Sequence, residues 1–365
     1  MAGLMNSRER VQAVFERRLP DRCPIDFRCT EQMQAKLIAQ LRLPDAESLY
    51  RMMGHDFRFV QPRLKARNVG EYYGHFFVRE PAPGRYVDNW GITWQRAEME
   101  SGDVFYDVVE APLREVRSVR EVEQYPFPDP ADEWDFSGVR AQAERYPEYA
   151  VAGRTSAVFD DAWRMLGFER MLLEMALNPE LAHAVLRKVC DYWMKFAELL
   201  LQAARGRIDV MWSFDDLGTQ NGLVMSAGMC REFIIPLVKE RADLFRRHGA
   251  HVAMHSCGSI APIVGDLMQA GVECLNPIQP AAGMDRAQLK ARHGNLVFHG
   301  SVDQQRVLVP GKPADVIRDT RECIDVLGRD GGYIVAASHE IEADIPVENV
   351  TAMFLAAQEY GVYRQ

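Results

Sequence analysis

The sequence predicts an α/β barrel, and three observations favour this fold. Short, continuous apolar segments alternate with amphipathic helical segments through the second half of the chain. Such segments are typical of parallel strands buried on both faces, which occur in barrels and in doubly wound sheets. No Gly-x-Gly-x-x-Gly motif follows a predicted strand, which weighs against a dinucleotide-binding sheet. The length of 365 residues suits one large barrel, since such barrels have about 250 residues or more.

Five strand–helix units follow a long helix that ends at about residue 204 and carries Pro179 in its first turn, where proline is tolerated. The strands are predicted at 208–213, 251–255, 273–276, 296–300 and 333–337. The helices between and after them are predicted at 227–248, 260–270, 286–293, 314–327 and 347–360. A strand at 149–153 and an amphipathic helix at 162–176 precede the long helix.

The first third of the chain is less regular. Asn6 or Ser7 can cap a first helix, a short strand is predicted at 25–27, and two helices follow at 31–41 and 46–53. From about 60 to 120, aromatic residues, glycines and turn residues alternate with short apolar runs, as in irregular antiparallel strands. We expect an irregular β-rich insertion packed on the barrel there, so that residues 1–365 form a single domain.

The composition limits the classes of function. A formal net charge of −9 argues against a nucleic-acid partner, which requires clustered Lys and Arg, and leaves a small-molecule substrate as the expectation. No run approaches the roughly 20 apolar residues of a membrane span, and the first residues lack an apolar signal core. The odd number of seven irregularly spaced cysteines indicates reduced thiols. We therefore expect a cytoplasmic protein without membrane partners, and a homodimer as the commonest oligomer.

Polar residues follow each of the five predicted strands, where a barrel places its active site. These segments are 215–220, 256–259, 277–279, 301–304 and 338–340. Because unpaired polar groups are costly in a core, we expect these residues to converge on one rim and form a pocket. Trp212, Gln279, His299 and Asp303 are the predicted substrate-binding residues.

His255 and Cys257 are the most specific pair at this rim. Side chains two residues apart at a strand end can point to the same side, and an imidazole with a thiolate is half of a zinc site. The structural alternative is a hydrogen-bonding histidine beside a small packing cysteine. A catalytic zinc needs a third protein ligand, for which the candidates are His339, Asp215, Asp216, Glu340 and Glu342.

The adjacent carboxylates Asp215 and Asp216 are candidate catalytic residues, together with His339. Adjacent side chains diverge, so one carboxylate is expected to face the pocket while the other caps the next turn. The carboxylate in the pocket can ligate a metal, orient a histidine or act in acid–base catalysis. A helix-capping or ion-paired role for both carboxylates remains an alternative.

Several motifs in their order resemble the uroporphyrinogen decarboxylase superfamily, most closely the branch related to corrinoid-linked methyltransferases. They are Gly167-Phe-Glu, Asn178-Pro-Glu, Asp215-Asp-Leu-Gly-Thr-Gln, the His255-Ser-Cys-Gly core, Gly271-Val-x-x-Leu-Asn-Pro-Ile-Gln and Gly331-Gly-Tyr-Ile. The likeness is strong from about residue 150 onwards and diffuse before it. It implies a (β/α)8 TIM barrel, in agreement with the pattern of elements.

The resemblance also implies chemistry. Decarboxylases of this superfamily carry an Arg-rich N-terminal stretch, whereas the corresponding region here, 24–30, has only Arg28. The methyltransferase branch holds zinc with a His-x-Cys pair, matched by His255 and Cys257, and a later cysteine. Ser338 stands where that cysteine is expected, so His339 or a carboxylate would have to replace it as a ligand. The chain has no Asp-x-His-x-x-Gly corrinoid signature, so cobalamin would belong to a separate corrinoid protein.

The resulting hypothesis is a zinc-dependent methyltransferase that moves a methyl group between a small methylated substrate, such as a methyl ether or methylamine, and a corrinoid protein. The alternative is a metal-free decarboxylase or lyase that acts on a small carboxylated substrate through Asp215 or Asp216, His255 and His339. A third possibility is a binding protein that kept the barrel without turnover.

Overall fold

Seven parallel strands form the central sheet of the protein. The computed structural model describes residues 5–66, 68–72 and 74–363. Along the described chain the strands are β1 Phe57–Phe59, β2 Arg63–Leu64, β3 Glu71–Tyr72, β4 His75–Ala82, β5 Arg85–Asp88, β6 Thr93–Glu98, β7 Val104–Glu110, β8 Trp134–Asp135, β9 Ala150–Ala157, β10 Val210–Phe214, β11 His251–His255, β12 Cys274–Asn276, β13 Val297–Val302 and β14 Tyr333–Ala337. The central sheet has the order β1-β9-β10-β11-β12-β13-β14 with parallel neighbours throughout.

The segment 24–26 lies between the two edges of this sheet. On one side, the Val335 amide donates to the Pro24 carbonyl and the Asp26 amide donates to the Val335 carbonyl. On the other side, the Asp56 amide donates to the Ile25 carbonyl. The parallel sheet therefore curls into a barrel-like fold, and the strand predicted at 25–27 is a single bridge at Ile25.

Helices cover the outside of the sheet. They are α1 Ser7–Phe15, α2 Glu31–Gln40, α3 Ala46–Met52, α4 Val119–Gln124, α5 Pro130–Glu133, α6 Val139–Glu144, α7 Phe159–Leu166, α8 Phe168–Leu177, α9 Pro179–Ala204, α10 Ala227–Met229, α11 Ile235–Arg247, α12 Val264–Ala270, α13 Arg286–Arg292, α14 Pro313–Leu327 and α15 Val347–Tyr360. Asn6 caps α1, as predicted. The one helix predicted at 162–176 is two helices, because Gly167 with φ of 100° interrupts it. Among the described residues, no helix is both long and apolar enough to cross a bilayer.

A five-stranded antiparallel sheet, β3 to β7, occupies residues 71–110. Its buried aromatic side chains, among them Phe77, Trp90 and Trp94, belong to the same apolar core as helix α9. The antiparallel strands predicted within the range 60–120 are therefore present. That this range is an insertion, and that residues 1–365 form one domain, stay predictions.

A buried charged group attaches this sheet to the barrel. His75 on β4 lies 2.8 Å from a carboxylate oxygen of Asp88 and 3.0 Å from one of Asp161 on α7, and all three side chains are fully buried. Trp193 donates from its indole nitrogen to Asp161 at 2.8 Å, and Trp94 donates to Asp88 at 2.8 Å. Burial by itself would lower the pKa of His75, but the two carboxylates outweigh it and raise this pKa to about 9.

This raised pKa predicts a pH-dependent stability. Because the pKa of His75 is about 9 in the folded protein and near 6.5 when unfolded, its contribution is complete below pH 6.5 and is lost as the pH rises through 9. We expect the difference in unfolding free energy between the wild type and His75→Phe to fall by about 3 kcal/mol over this interval. Denaturant titrations between pH 6 and 10 measure it, and a difference that stays constant would contradict the assignment.

Candidate active site

A cavity of about 540 Å³ lies at the carboxyl ends of the barrel strands. Its floor carries polar groups from strand ends and from the segment that closes the barrel: Asp26, Asp216, His255, Cys257, Asn276, His299 and His339. Its wall includes four aromatic side chains, Trp134, Trp193, Phe196 and Phe214, of which Phe214 is the last residue of β10. Of the five polar segments predicted to converge, 215–220, 256–259 and 338–340 contribute to this cavity, whereas Gln279 and Gln304 of the other two line a second one.

The loops that follow β10 and β11 contact each other through their backbones. A Cβ on Gly218 would lie 2.7 Å from the Cys257 carbonyl oxygen and 2.7 Å from the Ser259 amide nitrogen, so only glycine fits there. The Ser259 amide donates to the Thr219 carbonyl, and the Leu217 amide donates to the Ser256 hydroxyl at 3.1 Å. This close approach brings the two polar loops into direct contact.

Asp216, His255 and Cys257 form a compact cluster at this contact. One ligand atom from each lies within 4.8 Å of the other two. The Cys257 Sγ is 3.3 Å from Nε2 of His255, and Oδ1 of Asp216 is 3.5 Å from the same nitrogen. The Cys257 amide donates to that carboxylate oxygen at 2.8 Å, which fixes the carboxylate beside the thiol.

The electrostatics of the cluster favour a thiolate. Burial opposes ionisation of Cys257, but its hydrogen bonds with His255 and His339 lower the pKa of the thiol. Burial likewise disfavours an imidazolium, but Cys257 and Asp216 raise the pKa of His255 to about 9. Hydrogen bonds to Cys257 and Glu342 raise the pKa of His339 to about 11. A thiolate is the form of cysteine that ligates metals.

These residues fit a zinc ion. Thiolate, imidazole and carboxylate are all zinc ligands, and three protein ligands are what a catalytic site with an open position requires. Within the described part of the chain, the third member of the compact group is Asp216, one of the candidates for the third ligand, whereas His339, the first of these candidates, lies outside the group and hydrogen-bonds the Cys257 thiol. Ser338 is buried, and its hydroxyl accepts from the Gln304 amide.

Asp215 lies away from the cavity. Its carboxylate is fully buried, accepts from the amides of Val158 and Phe159 at the start of α7, and pairs with the buried Arg241. Adjacent residues on an extended segment point in opposite directions, so Asp215 faces the protein interior when Asp216 faces the cavity. The predicted catalytic role is therefore supported by position for Asp216 and not for Asp215.

Of the four predicted substrate-binding residues, only His299 lines the main cavity. Trp212 is fully buried inside the barrel, with the Arg28 guanidinium 4.2 Å from its ring centre. Asp303 is buried and caps the turn after β13 by accepting from the Arg306 amide. Gln279 lines a neighbouring cavity of about 250 Å³, which shares His339 with the main one.

The sequence reasoning missed several residues of the cavity. Asp160 lies between the Asp216 amide, from which it accepts at 3.2 Å, and the indole of Trp163. Burial, reinforced by Asp216 and Asp215 and opposed by Arg164, raises the pKa of Asp160 to about 7. Among the described residues, four arginines also line the cavity, Arg28, Arg63, Arg154 and Arg164, of which only Arg28 had been considered. An arginine directly after the strand predicted at 149–153 was the available signal for Arg154.

The chain is similar to proteins of known families. Residues 99–360 match the family described as uroporphyrinogen decarboxylase (URO-D). A methylated-thiol–coenzyme M methyltransferase of Methanosarcina mazei is 26% identical over 210 residues, which cover 57% of this chain and 53% of that protein. A uroporphyrinogen decarboxylase of Flavobacterium johnsoniae is 27% identical over 213 residues, which cover 58% of this chain and 56% of that protein. The chain therefore spans about half the length of the curated relatives it matches.

A solved structure described as a methyltransferase from Methanosarcina mazei superposes with a TM-score of 0.71. The match covers 98% of this chain and 99% of that one at 16% identity. At this identity the likeness establishes the fold, which is the TIM-barrel-like fold expected from the sequence.

The different surroundings of Asp215 and Asp216 predict that the same substitution lowers stability strongly at one position and hardly at the other. Asp215→Asn places an amide NH2 against the buried Arg241, and removal of one partner of a buried pair costs about 3 kcal/mol or more. Asp216→Asn changes a half-exposed side chain and should shift the unfolding free energy by less than about 0.5 kcal/mol. Denaturant titration of both variants measures this, and equal losses of stability would contradict the two assignments.

Proposed function

The chain belongs to the uroporphyrinogen decarboxylase (URO-D) family, and from this premise we propose that it is a zinc-dependent methyltransferase. It would transfer a methyl group between a small methylated substrate, such as a methyl ether or methylamine, and a corrinoid protein. The observation that carries the proposal is the cluster of Asp216, His255 and Cys257 at the floor of a cavity large enough for such a substrate. The relation to a methyltransferase, at 26% identity, supports it.

Asp216, His255 and Cys257 would hold the metal, with His339 in hydrogen-bonding contact with the thiolate. Zinc bound there would supply a Lewis acid for the substrate heteroatom. Phe214 and Trp193 line the same cavity and would keep water from the reacting group. His299, at the cavity floor, remains a proposed substrate contact.

The cofactor partner is part of the proposal. Cobalamin would be carried by a separate corrinoid protein that docks over the mouth of the barrel, because the chain has no corrinoid signature of its own. A cytoplasmic location and a homodimer are proposed on the grounds given for the sequence.

Metal content together with methyl transfer tests this function. We expect about one zinc per chain in the wild type, and its loss in His255→Ala, Cys257→Ser and Asp216→Asn. Cys29→Ser is the matched control, because Cys29 is a partly buried cysteine outside the cluster and should leave the zinc content unchanged. With a corrinoid protein present, the wild type should consume methylated substrates, and the three zinc-free variants should not.

A wild type that takes up no zinc from zinc-supplemented buffer would refute the metal mechanism. The alternative is then a metal-free decarboxylase or lyase for a small carboxylated substrate. The relation to a decarboxylase, at 27% identity, favours this alternative. Release of carbon dioxide from small carboxylic acids would be the corresponding assay.

The glycine contact between the two loops predicts a further effect on zinc. Gly218→Ala inserts a Cβ 2.7 Å from the backbone of 257–259 and should separate Asp216 from Cys257, lowering zinc affinity at least about tenfold. Gly222→Ala is the control in the same loop, because no atom lies within 4 Å of its added Cβ. Competition with a chromophoric chelator measures both affinities, and an equal effect of the two substitutions would contradict the role of the contact.

A further inference from the structure

A line of hydrogen-bonded side chains leads from the cluster into the interior of the barrel. Nδ1 of His255 is 2.6 Å from Oδ1 of Asn276, and Nδ2 of Asn276 is 2.6 Å from Nδ1 of His299. Nε2 of His299 is 2.8 Å from Oδ2 of Asp26. Asn276, His299 and Asp26 are each at least nine-tenths buried, so water does not compete for these contacts.

The donors and acceptors along this line allow one direction only. The oxygen of Asn276 accepts, so Nδ1 of His255 carries a proton, and the amide nitrogen donates, so Nδ1 of His299 is an acceptor. A neutral His299 then carries its proton on Nε2 and donates it to Asp26. Because Nδ1 keeps its proton, the proton that His255 can give up is the one on Nε2, and the lone pair freed there would face the same position as Cys257 and Asp216.

The far end of the line is held as an anion. Arg28 donates to Oδ2 of Asp26 at 2.8 Å from Nε and lies 2.7 Å from it through Nη2. Burial would raise the pKa of Asp26, but Arg28 and His299 outweigh it and lower this pKa well below its usual range. Burial lowers the pKa of His299, which keeps that ring neutral. A fixed anion therefore sets the direction of all three hydrogen bonds.

We propose that Asn276 and His299 are positioning residues that fix the proton of His255 on Nδ1 and so make Nε2 a metal ligand. The inference rests on the zinc site proposed above. His299 acts one step further away than Asn276, because it determines which end of the amide faces His255. Without His299, the amide can rotate and present its NH2 group to His255, and the proton of that ring would then move to the nitrogen that faces the cluster.

Two substitutions should weaken zinc binding without touching a ligand. Asn276→Leu removes the acceptor with little change in volume, and His299→Phe removes the acceptor that orients the amide. Loss of such outer partners lowers metal affinity about 10- to 100-fold, and we expect this for both variants in chelator competition. His55→Phe is the matched control: His55 is equally buried and its Nδ1 is 3.5 Å from Oδ1 of Asp26, but it makes no link to Asn276.

Asn276→Asp separates positioning from a merely structural role. A carboxylate still accepts from Nδ1 of His255, so zinc affinity should remain within about threefold of the wild type, although burial of a second carboxylate lowers stability. A structural role would instead make affinity follow stability through the series. Unchanged affinity in Asn276→Leu, or equal losses in His299→Phe and His55→Phe, would overturn the proposal.

The tautomer of His299 gives a readout that needs no metal. In ¹⁵N spectra of histidine-labelled protein, His299, assigned by its absence in His299→Phe, should be neutral with its proton on Nε2. A proton on Nδ1 of His299 would refute the proposed direction of these hydrogen bonds even if zinc binds. If the wild type shows the expected tautomer but binds no zinc, the zinc site fails, and with it the ligand role of Nε2, while the line and its direction stand.

Discussion

The backbone contact between the loops 215–220 and 256–259 is the constraint on which the site depends. Strands β10 and β11 are parallel and in register, with Phe214 opposite His255, so the residues that follow them leave the sheet side by side. Gly218 and Gly258 then allow the two loops to touch without intervening side chains. The carboxylate of Asp216 thereby accepts a 2.8 Å hydrogen bond from the backbone amide of Cys257, 41 positions further along the chain, and lies beside its thiol.

The two adjacent carboxylates at this contact, Asp215 and Asp216, have different surroundings. Asp215 turns inward, where two amides and Arg241 compensate its charge, and it belongs to the framework that holds the start of α7. Asp216 turns toward the cavity and remains half exposed. His75, Asp88 and Asp161 are likewise buried charged groups with a structural role, because they attach the antiparallel sheet to the barrel. Strongly perturbed groups in this protein are therefore not all functional, and position relative to the cavity distinguishes them.

The regular half of the fold could be predicted from the sequence because each strand and helix has a local apolar pattern. The strands at 251–255 and 333–337 agree with the structure at both ends. The pattern was weaker for β1, which has three residues and was not predicted, and for 162–176, where one glycine divides an otherwise continuous amphipathic stretch. Local periodicity carries no information about such a break unless the glycine is weighed explicitly.

The sequence predicts which strand ends carry the polar residues of the site, but not the directions in which their side chains point. His255 and Cys257 lie together because they are two residues apart on one extended segment. Which of two adjacent carboxylates faces inward, and whether His339 or Asp216 completes the group, depends on contacts between loops distant in sequence. Asn276 belongs to one of the family motifs, but its hydrogen bond with His255 could not be predicted, because it depends on β11 and β12 being adjacent.

The cavity draws its two halves from different parts of the chain. The cluster comes from residues 216–257, whereas much of the wall comes from residues 60–64, from Asn68, Glu71 and Gly74, and from Trp134, Trp193 and Phe196. These parts of the wall lie outside the loops 215–220 and 256–259 that position the cluster. Such a layout gives an engineer wall residues to exchange when a different molecule is to fit the cavity, while the loops that position the cluster keep their sequence.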